Sequence, residues 1–138
     1  MPRWFWGIVA LFIAIGCIVA LRNIEKAKRR EEHHAEYEAA LTKFSQALKP
    51  GATRKQVEDY LRGQNLRFYR VCCSNDQHAF ATEVRVGQEE HPWFCSEWNV
   101  YVYFEFTTTE PDRYPIRPGS DGDTMSDMHL VSRGEGCL

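Results

Sequence analysis

Between Trp4 and Leu21 the chain reads WFWGIVALFIAIGCIVAL, with no charged side chain. A run of that length approaches the roughly 20 apolar residues that carry a helix across a hydrocarbon core about 30 Å thick. A cleaved signal peptide is the competing reading, but its apolar region spans only about 7–15 residues and ends in a small-x-small site. CIVALRN supplies no such site. Trp4 and Trp6 stand where interfacial aromatic residues would. The run predicts an uncleaved transmembrane helix over 4–21, with the lipid bilayer as its partner and residues 1–3 as a short flank.

No Gly or Pro occurs from Arg22 to Leu48, and Ala, Glu, Lys and Arg dominate, so the helix is expected to continue. Residues 25–36, EKAKRREEHHAE, are charged on every side, with Glu25 and Arg29 in the favoured i,i+4 order. They predict a charged helical stalk over 22–36, about 20 Å long. Tyr37, Leu41, Phe44 and Leu48 then recur at helical spacing, which places the globular domain at 37–138. With 26% charged residues and a net charge of −2, the chain carries no basic field able to neutralise phosphates, which argues against a nucleic-acid partner.

Pro50 and Gly51 end the first helix. A second begins at once: Thr53 and Gln56 form a capping box, Ala52 and Val57 a small staple, and Gly63 a terminator. Its buried face carries Val57, Tyr60 and Leu61. The segments 66–73, 79–86, 99–106 and 127–133 are rich in β-branched and aromatic residues and read as strands. In the third, Val100, Val102, Phe104 and Phe106 alternate with Tyr101, Tyr103 and Glu105. Helices followed by strands give an α+β domain, two helices packed on one face of a three- to four-stranded antiparallel sheet. EPDRYPIRPGSDGD, residues 110–123, is expected to be a mobile loop.

LKPGATRKQVEDYLRGQNLRF, residues 48–68, resembles the opening motif of the SmpA/OmlA group, the BamE-like small envelope proteins. The positions that carry the resemblance are Pro50, Gly51, Thr53, Val57, Leu61 and Gly63. It implies two helices followed by an antiparallel sheet, in an envelope-facing domain that works by binding other proteins and has no catalytic residues. The lipoprotein box of such proteins is not matched here: Cys17 follows Ala14-Ile15-Gly16, but apolar residues continue beyond it, and it reads as an ordinary cysteine of the span.

Cys72, Cys73, Cys95 and Cys137 are an even set in the globular part, and four cysteines allow three connectivities. A bond between the adjacent pair is expected to be strained, and neighbouring strand residues point to opposite faces. The expected pattern joins one of Cys72 and Cys73 to Cys95 and the other to Cys137, each loop contributing about 3 kcal/mol in the chain-entropy model. Two disulfides call for an oxidising compartment. Arg22, Lys26, Lys28, Arg29 and Arg30, against Arg3 alone before the span, instead favour a cytoplasmic domain. Of the two, the cysteines carry more weight, and the domain is expected on the extracytoplasmic side of the inner membrane.

Zinc held by these thiolates with His78, His91 or His129 lacks the paired-knuckle spacing of structural sites. A Cys95 nucleophile served by His129 and Asp127 needs a proximity that spacing does not provide. Asp121, Asp123 and Asp127 have calcium-loop spacing, but Met125 and Ser126 stand where a ligand and Gly belong, and no Glu closes the loop. His33 and His34 read as solvated stalk residues. The strongest surface candidate is the sheet face with Tyr101, Tyr103 and Glu105, joined by Arg85: either an exposed aromatic patch for a partner or a local cluster with Arg85 or Tyr69 stacked over the tyrosines. The sequence thus predicts a membrane-anchored, non-enzymatic interaction or scaffolding module of a bacterial envelope, without metal or cofactor, binding another envelope protein. The alternative is a metal- or small-ligand sensor, or a thiol-based activity, using free cysteines of a cytoplasmic-facing domain.

Overall fold

The computed structural model describes residues 3–72, 80–108 and 119–138, with side chains from residue 12 onward. The elements are α1 (Arg3–Ala47), α2 (Arg54–Gly63), β1 (Tyr69–Val71), β2 (Ala81–Glu89), β3 (Glu97–Thr107) and β4 (Thr124–Glu135). They fall into two compact units, residues 1–35 and 36–138.

The first unit is helical throughout its described length. Phe12, Ile13, Ile15, Ile18, Val19, Leu21 and Ile24 stand exposed on it. Beyond them Glu25 pairs with Arg29 at 4.0 Å and Lys28 with Glu32 at 3.9 Å, both in i,i+4 spacing. Among the described residues no helix is long and apolar enough to cross a membrane. This corrects the transmembrane helix expected over 4–21 and the single-pass inner-membrane localisation.

The second unit is α+β. Its four described strands form one antiparallel sheet in the order β1-β2-β3-β4. One face packs on the helices, in a core of Phe44, Leu48, Val57, Leu61, Val84, Val102, Phe104, Phe106 and Met125. Tyr37 seats the last turns of α1: it is buried, and its hydroxyl donates to the Gln88 carbonyl at 2.9 Å. The ring fits because β2 has Gly87 there, next to a bulge between Arg85 and Gly87. A Cβ on Gly87 would lie 2.1 Å from Tyr37 Cε1.

Pro50 and Gly51 turn the chain into α2, with Gly51 at φ +90°. The capping box forms as the sequence indicates. The Gln56 backbone N–H donates to Thr53 Oγ1 at 3.2 Å, and the Thr53 N–H donates to Gln56 Oε1 at 2.8 Å. The helix stop differs from expectation: Gly63 stays helical, and Asn65 takes the left-handed conformation at φ 57°. Asn tolerates that region better than most side chains because its short amide bonds locally.

Of the loop expected over 110–123, residues 110–118 lie outside the described ones. Residues 119–123 form a turn held by hydrogen bonds. Asp123 is buried, and its Oδ2 accepts from the Ser120 N–H at 2.8 Å and from Arg54 Nη2 at 3.2 Å. Arg54, 0% exposed, also donates to Thr82 Oγ1 at 3.2 Å and stacks 3.9 Å from the centre of the Phe106 ring. Glu58, likewise buried, receives both Arg70 Nε at 2.7 Å and Nη2 at 2.8 Å, and Arg70 reaches Asp121 at 2.9 Å. This buried ionic seam ties α2, β1, β2 and the turn before β4 together. Burial lowers the Arg54 pKa, while Asp123 opposes that shift and keeps the charge in place.

Candidate functional site

Strand alternation sends the odd-numbered residues of β3 to the face away from the helical core. The register sets Tyr103 between Glu83 and His129, and Tyr101 between Arg85 and Val131. Farther along, Asn99 pairs with Gln88 and Arg133, and Glu97 with Glu135. The centre of this open face is Arg133. Its guanidinium meets the Glu83 carboxylate with two hydrogen bonds, at 3.3 and 3.2 Å, and donates to the Tyr103 hydroxyl at 2.9 Å. It also lies 4.8 Å from the centre of the Tyr101 ring and 3.4 Å from Glu135. The Tyr101 hydroxyl donates to the same Glu135 carboxylate.

The network explains why polar groups are buried on a face that the helices do not cover. Glu83 is 3% exposed and Tyr101 5%, because the Arg133 side chain lies over them. Burial, reinforced by Glu83, pushes the Tyr103 pKa up to about 12. Burial also raises Tyr101, with Glu135 adding to the shift, and the hydrogen bond from Tyr101 holds Glu135 below the usual carboxylate range. At the β4 edge His129 Nδ1 is 3.3 Å from Asp127 and its Nε2 4.0 Å from Glu105.

All four surface residues expected from the sequence differ in detail. Tyr101 is covered rather than exposed, Tyr103 is half-buried, and Glu105 sits beside His129. Arg85 lies 3.5 Å from Glu97 and does not stack over the tyrosines. The stacking cation is Arg133, which the sequence reading did not single out. Its signal is the R in DMHLVSR, on the same strand face as His129, but only the β3–β4 register identifies Tyr101 as its partner.

The cysteines also pair differently. Cys95 and Cys137 are bonded to each other, which corrects the expectation that each joins one of the adjacent pair. Cys72 is disulfide-bonded, and Cys73 lies outside the described residues, as does His78. Cys17 is free. With its sulfur in a disulfide, Cys95 is no thiol nucleophile for His129 and Asp127. Among the described residues no group of three His, Cys, Asp or Glu side chains is arranged to hold a metal. Asp121 and Asp123 are engaged by Arg70 and Arg54, so the acidic turn is an ion-pair anchor.

The Cys95–Cys137 bond supports the turn between β2 and β3. Cys95 N–H donates to the Pro92 carbonyl at 3.0 Å, Ser96 N–H to Glu135 at 3.0 Å, and Leu138 N–H to Phe94 at 2.9 Å. From this braced turn Trp93 projects, 89% exposed, edge-on to Phe94 at 5.9 Å. The chain gives no match among protein-family models, curated proteins or solved structures.

Proposed function

We propose that this chain is a non-enzymatic protein-interaction module that receives a cationic protein surface on the open face of its sheet. The observation that carries the reading is the Arg133 network. It holds the partly exposed Arg133 and Glu135 side chains in one fixed arrangement over the buried Glu83 and Tyr101, which lowers the ordering cost of association. The accessible carboxylates Glu97, Glu105, Asp127 and Glu135 outnumber the guanidiniums Arg85 and Arg133 on that face, so complementarity favours a positive partner. The resemblance of residues 48–68 to BamE-like proteins supports the same reading, since two helices followed by an antiparallel sheet is the order it implies for a protein-binding domain. The alternative of thiol or metal chemistry loses its groups where Cys95 and Cys137 are crosslinked.

Site-specific photo-crosslinking in the native host tests this. A photoreactive residue at position 127 or 129 is expected to give a discrete adduct with one protein, and the same residue at position 55 on α2 to give none. No adduct from the sheet face, or the same adducts from position 55, contradicts the reading.

A further inference from the structure

The end of the open face nearest the β2–β3 turn carries more carboxylates than guanidiniums: Glu97, Glu135 and the neighbouring Glu83 against Arg85 and Arg133. Glu97 and Glu135 face each other across the β3–β4 pair. Asn99 Nδ2 donates to Glu97 at 3.0 Å, while Asn99 Oδ1, fully buried, accepts from no described group. Tyr101 donates to Glu135 and Arg85 is 3.5 Å from Glu97, while Arg133 divides itself among Glu83, Tyr103 and Glu135. At the same end the disulfide-braced turn holds Trp93 almost wholly in solvent. A large aromatic side chain held out by a crosslinked turn is costly to keep in water and loses little entropy when it is covered. Trp is also the side chain whose face best attracts a cation.

We propose that this end of the domain is a docking notch for a peptide segment of a partner protein that carries Lys or Arg next to an apolar side chain. The cationic group binds Glu97 and Glu135, and the apolar residue covers Trp93 and Phe94. With Arg133 bidentate on Glu83, the excess of carboxylates selects a cation over an anionic or neutral group, and the projecting indole selects a segment with its own apolar contact. The inference rests on the reading of the chain as a protein-binding module and names the chemistry of its partner.

The test uses the full chain, oxidised, at physiological salt, with a fluorescent peptide alternating Lys or Arg with Leu and a matched peptide alternating Glu with Leu. Saturable binding of the basic peptide alone is expected, weakened at least about tenfold, or about 1.4 kcal/mol, by Trp93→Ala and by Glu97→Gln. Both side chains are exposed, so neither variant endangers folding. Equal binding by Trp93→Ala, binding of the acidic peptide, or no binding of the basic one overturns the proposal. So does a preference for anionic vesicles or for a second copy of the chain over the basic peptide. If the peptide fails but the crosslinked adduct at position 129 persists, the notch is wrong and the module reading stands; if the adduct is absent as well, both fall.

Discussion

Arg133 is the residue on which the open face depends. Removing it by Arg133→Ala leaves the Glu83 carboxylate buried without its paired donor, and the expected loss is about 2 kcal/mol in urea unfolding. Arg133→Lys is expected to recover only part of it, because an ammonium cannot reproduce the two-pronged contact. Tyr103 gives the same network a pH signature. Its folded-state pKa, raised to about 12, exceeds the unfolded value near 10, so the folded state holds its proton more tightly. The associated stability is fully present below about pH 10 and is lost as pH rises toward 12. Tyr37 and Tyr101 shift in the same direction. Tyr103→Phe is expected to flatten that decline, read by unfolding across the alkaline range; an unchanged slope contradicts the assignment. None of these contacts was legible in the sequence. Alternation placed Tyr101 and Tyr103 on one face, but the cation above them comes from a strand whose register no local pattern specifies.

At the level of elements, sequence and structure agree where the determinants are local. Thr53 and Gln56 meet within four residues, so the capping box was readable, and Thr53→Ala is expected to cost about 1 kcal/mol. The stripe of Tyr37, Phe44 and Leu48 was readable for the same reason. The fit of Tyr37 over Gly87 joins residues far apart in the chain and was not. Gly87→Ala places a methyl where the ring lies and is expected to destabilise by about 1–3 kcal/mol. Tyr37→Leu should relieve part of that clash, so a double-mutant cycle in chemical denaturation is predicted to be non-additive; strict additivity contradicts the packing described. Arg54 belongs to the same class: in a helix reading it is one more exposed cation, yet it is wholly buried because Asp123, Thr82 and Phe106 converge on it from distant segments.

At the scale of the molecule, composition over-specified one feature and under-specified another. An uncharged run reads as a span on length alone, whereas no described helix is long and apolar enough to cross a membrane; α1 does continue through Arg22 into the charged helix that the sequence indicates. Disulfide connectivity is a property of the fold: Cys95 and Cys137 meet because β3 starts, and β4 ends, at the same end of the sheet. Their bond spans 42 positions in sequence, and Cys137→Ser is expected to cost about 4 kcal/mol in the chain-entropy model. The variant should also loosen the turn that carries Trp93, seen as faster hydrogen exchange at residues 93–96. The central claim, that the open face and its aromatic corner meet another protein, is tested most directly by oxidative footprinting of the chain in its native extract and in purified form. Trp93 and His129 are predicted to be protected in the extract, with Tyr60 on α2 unchanged. Equal labelling of Trp93 and His129 in both states would contradict it.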